Sequence, residues 1–141
     1  MSGIVPYRQV LVVEDEAGVG SLIKSTLEKN HFEVHVFDDP ILSLTIFRDD
    51  PVGYFLVIYD MSIKHMSAFE FLRQIKEENP DVRTVLITTI KIKPTEFNKV
   101  LPSLSVDGFL QKQHISSQII PCINKILGPR RIGRSDIGMY R

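Results

Sequence analysis

The chain has 141 residues, 43% hydrophobic and 24% charged, with seventeen basic side chains balanced by seventeen acidic ones. That length and composition predict one soluble globular domain whose core needs no disulfide or structural metal, and the cancelled charge excludes a global field drawing it to nucleic acid or anionic lipid. One cysteine, Cys122, excludes an internal disulfide framework; acids interrupt the first apolar run where a signal peptide would continue, and no run approaches the ~20 residues of a membrane span, so a cytoplasmic protein is expected.

In chain order, Gln9 to Val13 reads as a strand, and Val19, Leu22, Ile23, Thr26 and Leu27 then share one helix face. Phe32 to Phe37 alternates apolar with polar residues as a second strand, and Asp39-Pro40 is the cap and first-turn signal of a helix to about Arg48. The apolar run Phe55 to Tyr59 is a third strand of the kind buried on both faces, stopping on Asp60, where chain and solvent are expected to meet. Ala68, Phe71, Leu72 and Ile75 mark a helix closed by Asn79-Pro80, and Val82 to Thr88 forms a fourth strand. Pro94 opens a short helix that Pro102 ends, Asp107-Gly108 turns into the strand Phe109-Leu110, and Ile119, Ile123, Ile126 and Leu127 belong to a fifth helix that Pro121 bends near its start. Five strands alternating with five helices predict an α/β fold, a parallel sheet covered on both faces. Residues 1–8 are read as an N-terminal extension, 9–127 as the domain, and 128–141, with four arginines against one aspartate, as a flexible basic tail or truncated linker.

In an open parallel sheet, ligands bind at the edge where the strands' C-terminal ends emerge. Glu14-Asp15-Glu16, Asp60, Thr88-Thr89 and Lys112 follow the first, third, fourth and fifth strands and are gathered there. Taken singly they are ordinary: Asp60 a turn-former, Thr88 a β-branched strand residue, Lys112 a solvated lysine, the acid cluster a helix N-terminus. Together, three crowded carboxylates resist ionising unless a cation shares the site. Mg²⁺ suits them, since it takes oxygen ligands and binds through one or two carboxylates plus phosphate oxygens. A phosphate is thereby implied, with Lys112 and Thr88 as donors to it.

The stretches VLVVEDE, YFLVIYDM, VLITT and DGFLQK, in that order and at suitable separations, make the chain resemble the receiver domain of two-component response regulators, of the single-domain, chemotaxis-regulator-like kind, from about Gln9 to Leu127. The resemblance implies a doubly wound, flavodoxin-like receiver fold with five parallel strands and five helices. It also implies that Asp60 is phosphorylated by a sensor histidine kinase or phosphotransfer protein. Glu14, Asp15, Asp60 and the backbone carbonyl of Ser62 would ligate Mg²⁺. Thr88 would bond the phosphoryl group, Lys112 would pair with it, and Phe109 would be the switch aromatic. Such a domain promotes its own phosphotransfer and dephosphorylation without being an enzyme in the ordinary sense. Its output goes to an unknown downstream protein, with homodimerisation through the helix 4, strand 5 and helix 5 face as an option; neither nucleic acid nor membrane is an expected partner.

Several positions depart from the family pattern. Lys64-His65 and Ser67-Ala68 leave the loop after Asp60 without glycine, which predicts a different path, and Thr89 replaces a small residue, which predicts narrower access. Gln113 stands where a proline usually follows the lysine through a cis bond; a cis bond here would cost about 2.5–4 kcal/mol, so the peptide is either strained or trans with Lys112 re-aimed. Ile90, Phe97, Val100, Leu104 and Ile115 are candidates for an apolar patch on the output face, while most of them read equally well as core. His65 is a candidate proton carrier or plain surface, while His31, His35 and His114 lack metal-ligand spacing. Two alternatives stay open: a receiver-like interaction module with weak or no phosphorylation, and an aspartate-nucleophile phosphatase, which needs a second acid where this chain has Ser62.

Overall fold

The computed structural model describes residues 8–100 and 104–128. Parallel pairing sets five strands in the order β2-β1-β3-β4-β5, where β1 is Gln9–Val13, β2 Glu33–Phe37, β3 Leu56–Asp60, β4 Arg83–Thr88 and β5 Gly108–Gln111. The helices α1 (Ala17–Glu28), α2 (Pro40–Asp49), α3 (Ala68–Glu78), α4 (Pro94–Val100) and α5 (Ile115–Leu127) fill the connections, with one 3₁₀ turn, Lys112–His114, leading into α5.

The side-chain period of two along each strand divides the core into two layers. On β1, Val10 and Val12 face Ile23 and Leu27 of α1 and Ile119 and Ile123 of α5. Leu11 and Val13 face the opposite layer, with Phe47 of α2 and Phe71 and Leu72 of α3. Because β3 lies between β1 and β4 and beneath both layers, every one of its five residues is buried. Strand order reverses between β1 and β3, so the crevice of a doubly wound sheet opens above their C-terminal ends.

Helix starts follow local chemistry. Asp39 caps α2 by accepting the Ile41 N–H at 2.9 Å, with Pro40 in the first turn, and Ser67 caps α3 by accepting the Glu70 N–H at 3.1 Å. Glu16, at the cap position of α1, makes no such bond; its carboxylate is used elsewhere.

Some expectations shift. Phe32 and Val82 lie just outside β2 and β4, and Leu22 is 40% exposed while Gly20, Ile23 and Leu27 form the buried stripe of α1. Asp60 was expected at the boundary with solvent, yet β3 runs through it and its side chain is fully buried, since Ser62 and Lys112 bond its carboxylate and Glu14 lies beside it. Pro121 falls inside α5 rather than near its start, because that helix begins at Ile115. Of the proposed apolar patch, Leu104 and Ile115 belong to the core, Phe97 packs partly against it, and Ile90 is 63% exposed. Residues 1–7, Pro102, the tail from 129 and the Val100 side chain lie outside the described residues. No helix among the described residues is long and apolar enough to cross a membrane.

Candidate functional site

Asp60 ends the central strand, and each of its carboxylate oxygens is held. Oδ1 accepts the Ser62 N–H at 2.8 Å and the Ser62 hydroxyl at 2.7 Å, an Asx-type turn that starts the loop toward α3. Oδ2 accepts the Lys112 ammonium at 2.7 Å. Lys112 comes from the start of the 3₁₀ turn after β5, its side chain only 14% exposed. The same ammonium pairs with Glu16, lies 3.6 Å from Glu14 Oε2, and reaches the Ser62 hydroxyl at 3.3 Å. The peptide before Gln113 is trans, since no described bond is cis, and Lys112 nonetheless reaches Asp60. The re-aiming expected of a trans peptide is therefore absent: the 3₁₀ turn brings the chain round and the long side chain covers the remainder.

Glu14, at the end of β1, is also buried. Its Oε2 accepts the Glu16 N–H at 3.0 Å, whereas Oε1 is buried without any hydrogen-bond partner. Oxygens of Glu14, Asp15 and Asp60 lie within 4.8 Å of one another. Burial, and then the close Asp60 carboxylate, push the Glu14 carboxyl from 4.5 up to about 7, against the pull of the Glu16 N–H and Lys112. Burial pushes Asp60 up as well, but the neighbouring Glu14 and the bonds from Lys112 and Ser62 outweigh it and hold Asp60 below the usual aspartate value. Burial pulls the Lys112 ammonium down, and its bonds to Asp60 and Glu16 more than reverse this. The Tyr59 hydroxyl is pushed up to about 12 by burial and by the charges of Asp60 and Asp15.

These residues fit a hard divalent cation. A buried carboxylate oxygen without a donor is costly, and three carboxylates converging on one point supply the oxygen ligands that Mg²⁺ takes. An ionised carboxylate, an ammonium and such a cradle within hydrogen-bond reach are the equipment for handling a multiply charged anion.

The structure brings together Glu14, Asp15, Asp60, Ser62 and Lys112. Thr88 is buried at the end of β4, but its oxygen accepts the Ile90 N–H at 3.1 Å and makes no bond to Asp60. Phe109 is partly buried, edge-on to Phe97 of α4 with centroids 5.7 Å apart. His65 and Thr89 are exposed, and His35 bridges the Tyr54 hydroxyl (2.6 Å) and Glu33 (2.9 Å) away from the site. Two contributions are not assigned from the sequence. Glu16 is placed there at the same sheet edge but given no partner, although a cap position filled by a residue too long to cap well signals that its carboxylate goes elsewhere. For Ser62 only the carbonyl is assigned, although a serine two residues after an aspartate is an ordinary Asx-turn partner.

The sequence matches the family profile of the response regulator receiver domain over residues 10–124. It is 27% identical over 123 residues to the alkaline phosphatase synthesis transcriptional regulatory protein SphR of Synechococcus elongatus, a match covering 82% of this chain and 47% of that one. The chain therefore spans about half the length of the curated relative it matches. Among solved structures, the chemotaxis protein CheY4 of Vibrio cholerae superposes with a TM-score of 0.73 at 18% identity, covering 85% of this chain and 98% of that one. The non-phosphorylated HemR receiver domain of Leptospira biflexa gives 0.73 at 17% identity, covering 89% and 98%. At these identities the structural likeness speaks for the fold.

Proposed function

The chain belongs to the response regulator receiver domain family, and from that premise we propose that Asp60 accepts a phosphoryl group from a histidine kinase or phosphotransfer protein in a Mg²⁺-dependent step of a cytoplasmic phosphorelay. The observation that carries the reading is the meeting at one sheet edge of a buried, ionised Asp60, the Lys112 ammonium at 2.7 Å, and the Glu14, Asp15 and Asp60 oxygens converging beside an unpartnered Glu14 Oε1.

An Asp60 oxygen attacks phosphorus while the bond from phosphorus to the donor's imidazole nitrogen breaks and the imidazole leaves. Glu14, Asp15, Asp60 and the Ser62 carbonyl would hold Mg²⁺, which when bound neutralises charge on the transferring oxygens and on the crowded acids. Lys112 screens the same charge, its position fixed by Glu16 and Asp60. The low pKa of Asp60 keeps the nucleophile ionised. To meet the phosphoryl group, Thr88 gives up the Ile90 N–H and turns its hydroxyl inward. That movement would reach Phe109 through the adjoining β5, since Leu86 pairs with Phe109 and Thr88 with Gln111. The output is a protein contact on the α4, β5 and α5 face.

The test is incubation with acetyl phosphate or phosphoramidate, with and without Mg²⁺, read by intact mass. Incorporation should require Mg²⁺ and vanish in Asp60→Asn; label persisting in that variant defeats the proposal. A second reading, an interaction module with weak or no phosphorylation, draws on the complete burial of Asp60 with both oxygens engaged. Failure to label a folded protein that still binds Mg²⁺ would favour it.

A further inference from the structure

Tyr59 immediately precedes Asp60 but projects into the opposite layer, packed with Phe71 of α3. The two rings stack with centroids 4.2 Å apart and planes 20° apart. The Tyr59 hydroxyl then donates to the backbone carbonyl of Met66 at 2.5 Å. Met66 lies in the segment 61–67 that joins β3 to α3.

That segment contains no glycine and no residue with left-handed backbone. It is tied at its near end, where the Met61 N–H donates to the Ile87 carbonyl at 2.9 Å, Ser62 holds Asp60 Oδ1, and the Ile63 N–H reaches the Asp60 carbonyl at 3.2 Å. Ser67 ties the other end through the cap of α3. Between these, Lys64 and His65 are exposed, and the Tyr59 hydroxyl makes the one side-chain hydrogen bond that reaches residues 64–66 among the described residues.

We propose that Tyr59 is a positioning residue for the site: from a ring fixed against Phe71, its hydroxyl holds the far half of the loop whose near half is gripped by the Asp60 carboxylate. Neighbouring residues of one strand, pointing to opposite layers, thus secure both halves of one loop. What they secure is Ser62, whose N–H and hydroxyl hold Asp60 Oδ1 and whose carbonyl is the proposed fourth oxygen for Mg²⁺. The inference rests on the proposed function for that last role, though the latch itself does not.

Tyr59→Phe keeps the ring, its volume and the stack, and removes only the donor. Two readouts separate the possibilities: hydrogen exchange of the amides from 62 to 67 in metal-free protein, and Mg²⁺ titration by calorimetry. Faster exchange confined to the loop is expected, with β3 and α3 unchanged, together with an Mg²⁺ Kd raised about fivefold, equivalent to ~1 kcal/mol. Unchanged loop exchange overturns the latch. Loosened exchange with unaltered Mg²⁺ affinity overturns the positioning role and leaves a structural tie. A wild-type protein without Mg²⁺ affinity defeats the proposed function instead, while the exchange readout still decides the latch. If the variant does not fold, the wild-type Tyr59 hydroxyl proton serves: a slowly exchanging resonance with a cross-peak to the Met66–Ser67 backbone supports the proposal, and its absence overturns it.

Discussion

Glu14→Gln, studied without metal, isolates the cost of ionising a carboxyl inside the sheet edge. Burial and the neighbouring Asp60 carboxylate raise the folded value from 4.5 to about 7. Between those pH values the folded chain binds more protons than the unfolded one, so stability is full below 4.5 and is lost as pH rises through 7. At ~1.4 kcal/mol per unit, the loss amounts to about 3 kcal/mol. Asp60 acts with opposite sign and in another window: its folded value is depressed, so its contribution is present above 3.8 and is lost only as pH falls below that. Glutamine cannot ionise, and its amide keeps the Glu16 N–H bond while stranding an NH₂ where Oε1 has no partner. Allowing ~1–2 kcal/mol for that stranded group, the variant should be less stable than wild type at pH 5 and more stable by about 1–2 kcal/mol at pH 8. Urea titrations with a chelator at pH 5, 6, 7 and 8 read the crossing directly. Parallel profiles, or a wild type that gains stability from pH 5 to 7, would refute the reasoning.

Mg²⁺ binding to the wild type should strengthen from pH 5 to 8 and release a proton below pH 7, as the cation displaces the one on Glu14, measurable by calorimetry in buffers of different ionisation enthalpy. Lys112→Met leaves Asp60 and Glu14 without their cation and should cost about 3–5 kcal/mol in urea without metal; Asp60→Asn in the same background should recover part of it. At Gly108 a Cβ would stand 2.8 Å from Cys122 Sγ, so Gly108→Ala should cost ~1–3 kcal/mol, and the double variant with Cys122→Ala should recover most of the loss in thermal melts.

Much of the fold was legible because β1 and β3 are nearly unbroken apolar runs and because Asp39-Pro40 and Asn79-Pro80 punctuate the chain with residues whose backbone preferences are local. The convergence of Glu14, Asp15, Asp60 and Lys112 was legible too, since a parallel sheet sends all its C-terminal ends to one edge. What escaped depended on side-chain reach. Whether Glu16 caps its own helix or crosses to Lys112, and whether the Thr88 oxygen turns to Ile90 or to Asp60, are choices among rotamers that spacing does not encode. Leu104 and Ile115 read equally as patch or core in sequence, and only the packing of α5 and of the segment before β5 against the sheet decides for the core.

The gathered acids have one further consequence. Overall neutrality conceals a pronounced local imbalance, four carboxylates around a single ammonium, so the molecule behaves as an electrical multipole that bulk charge does not reveal. Small anionic donors approaching that edge meet repulsion that added electrolyte shields over a distance of about 8 Å at physiological strength. Dilute buffer should therefore slow reaction with acetyl phosphate while sharpening divalent uptake, even as electrophoresis continues to report an uncharged chain.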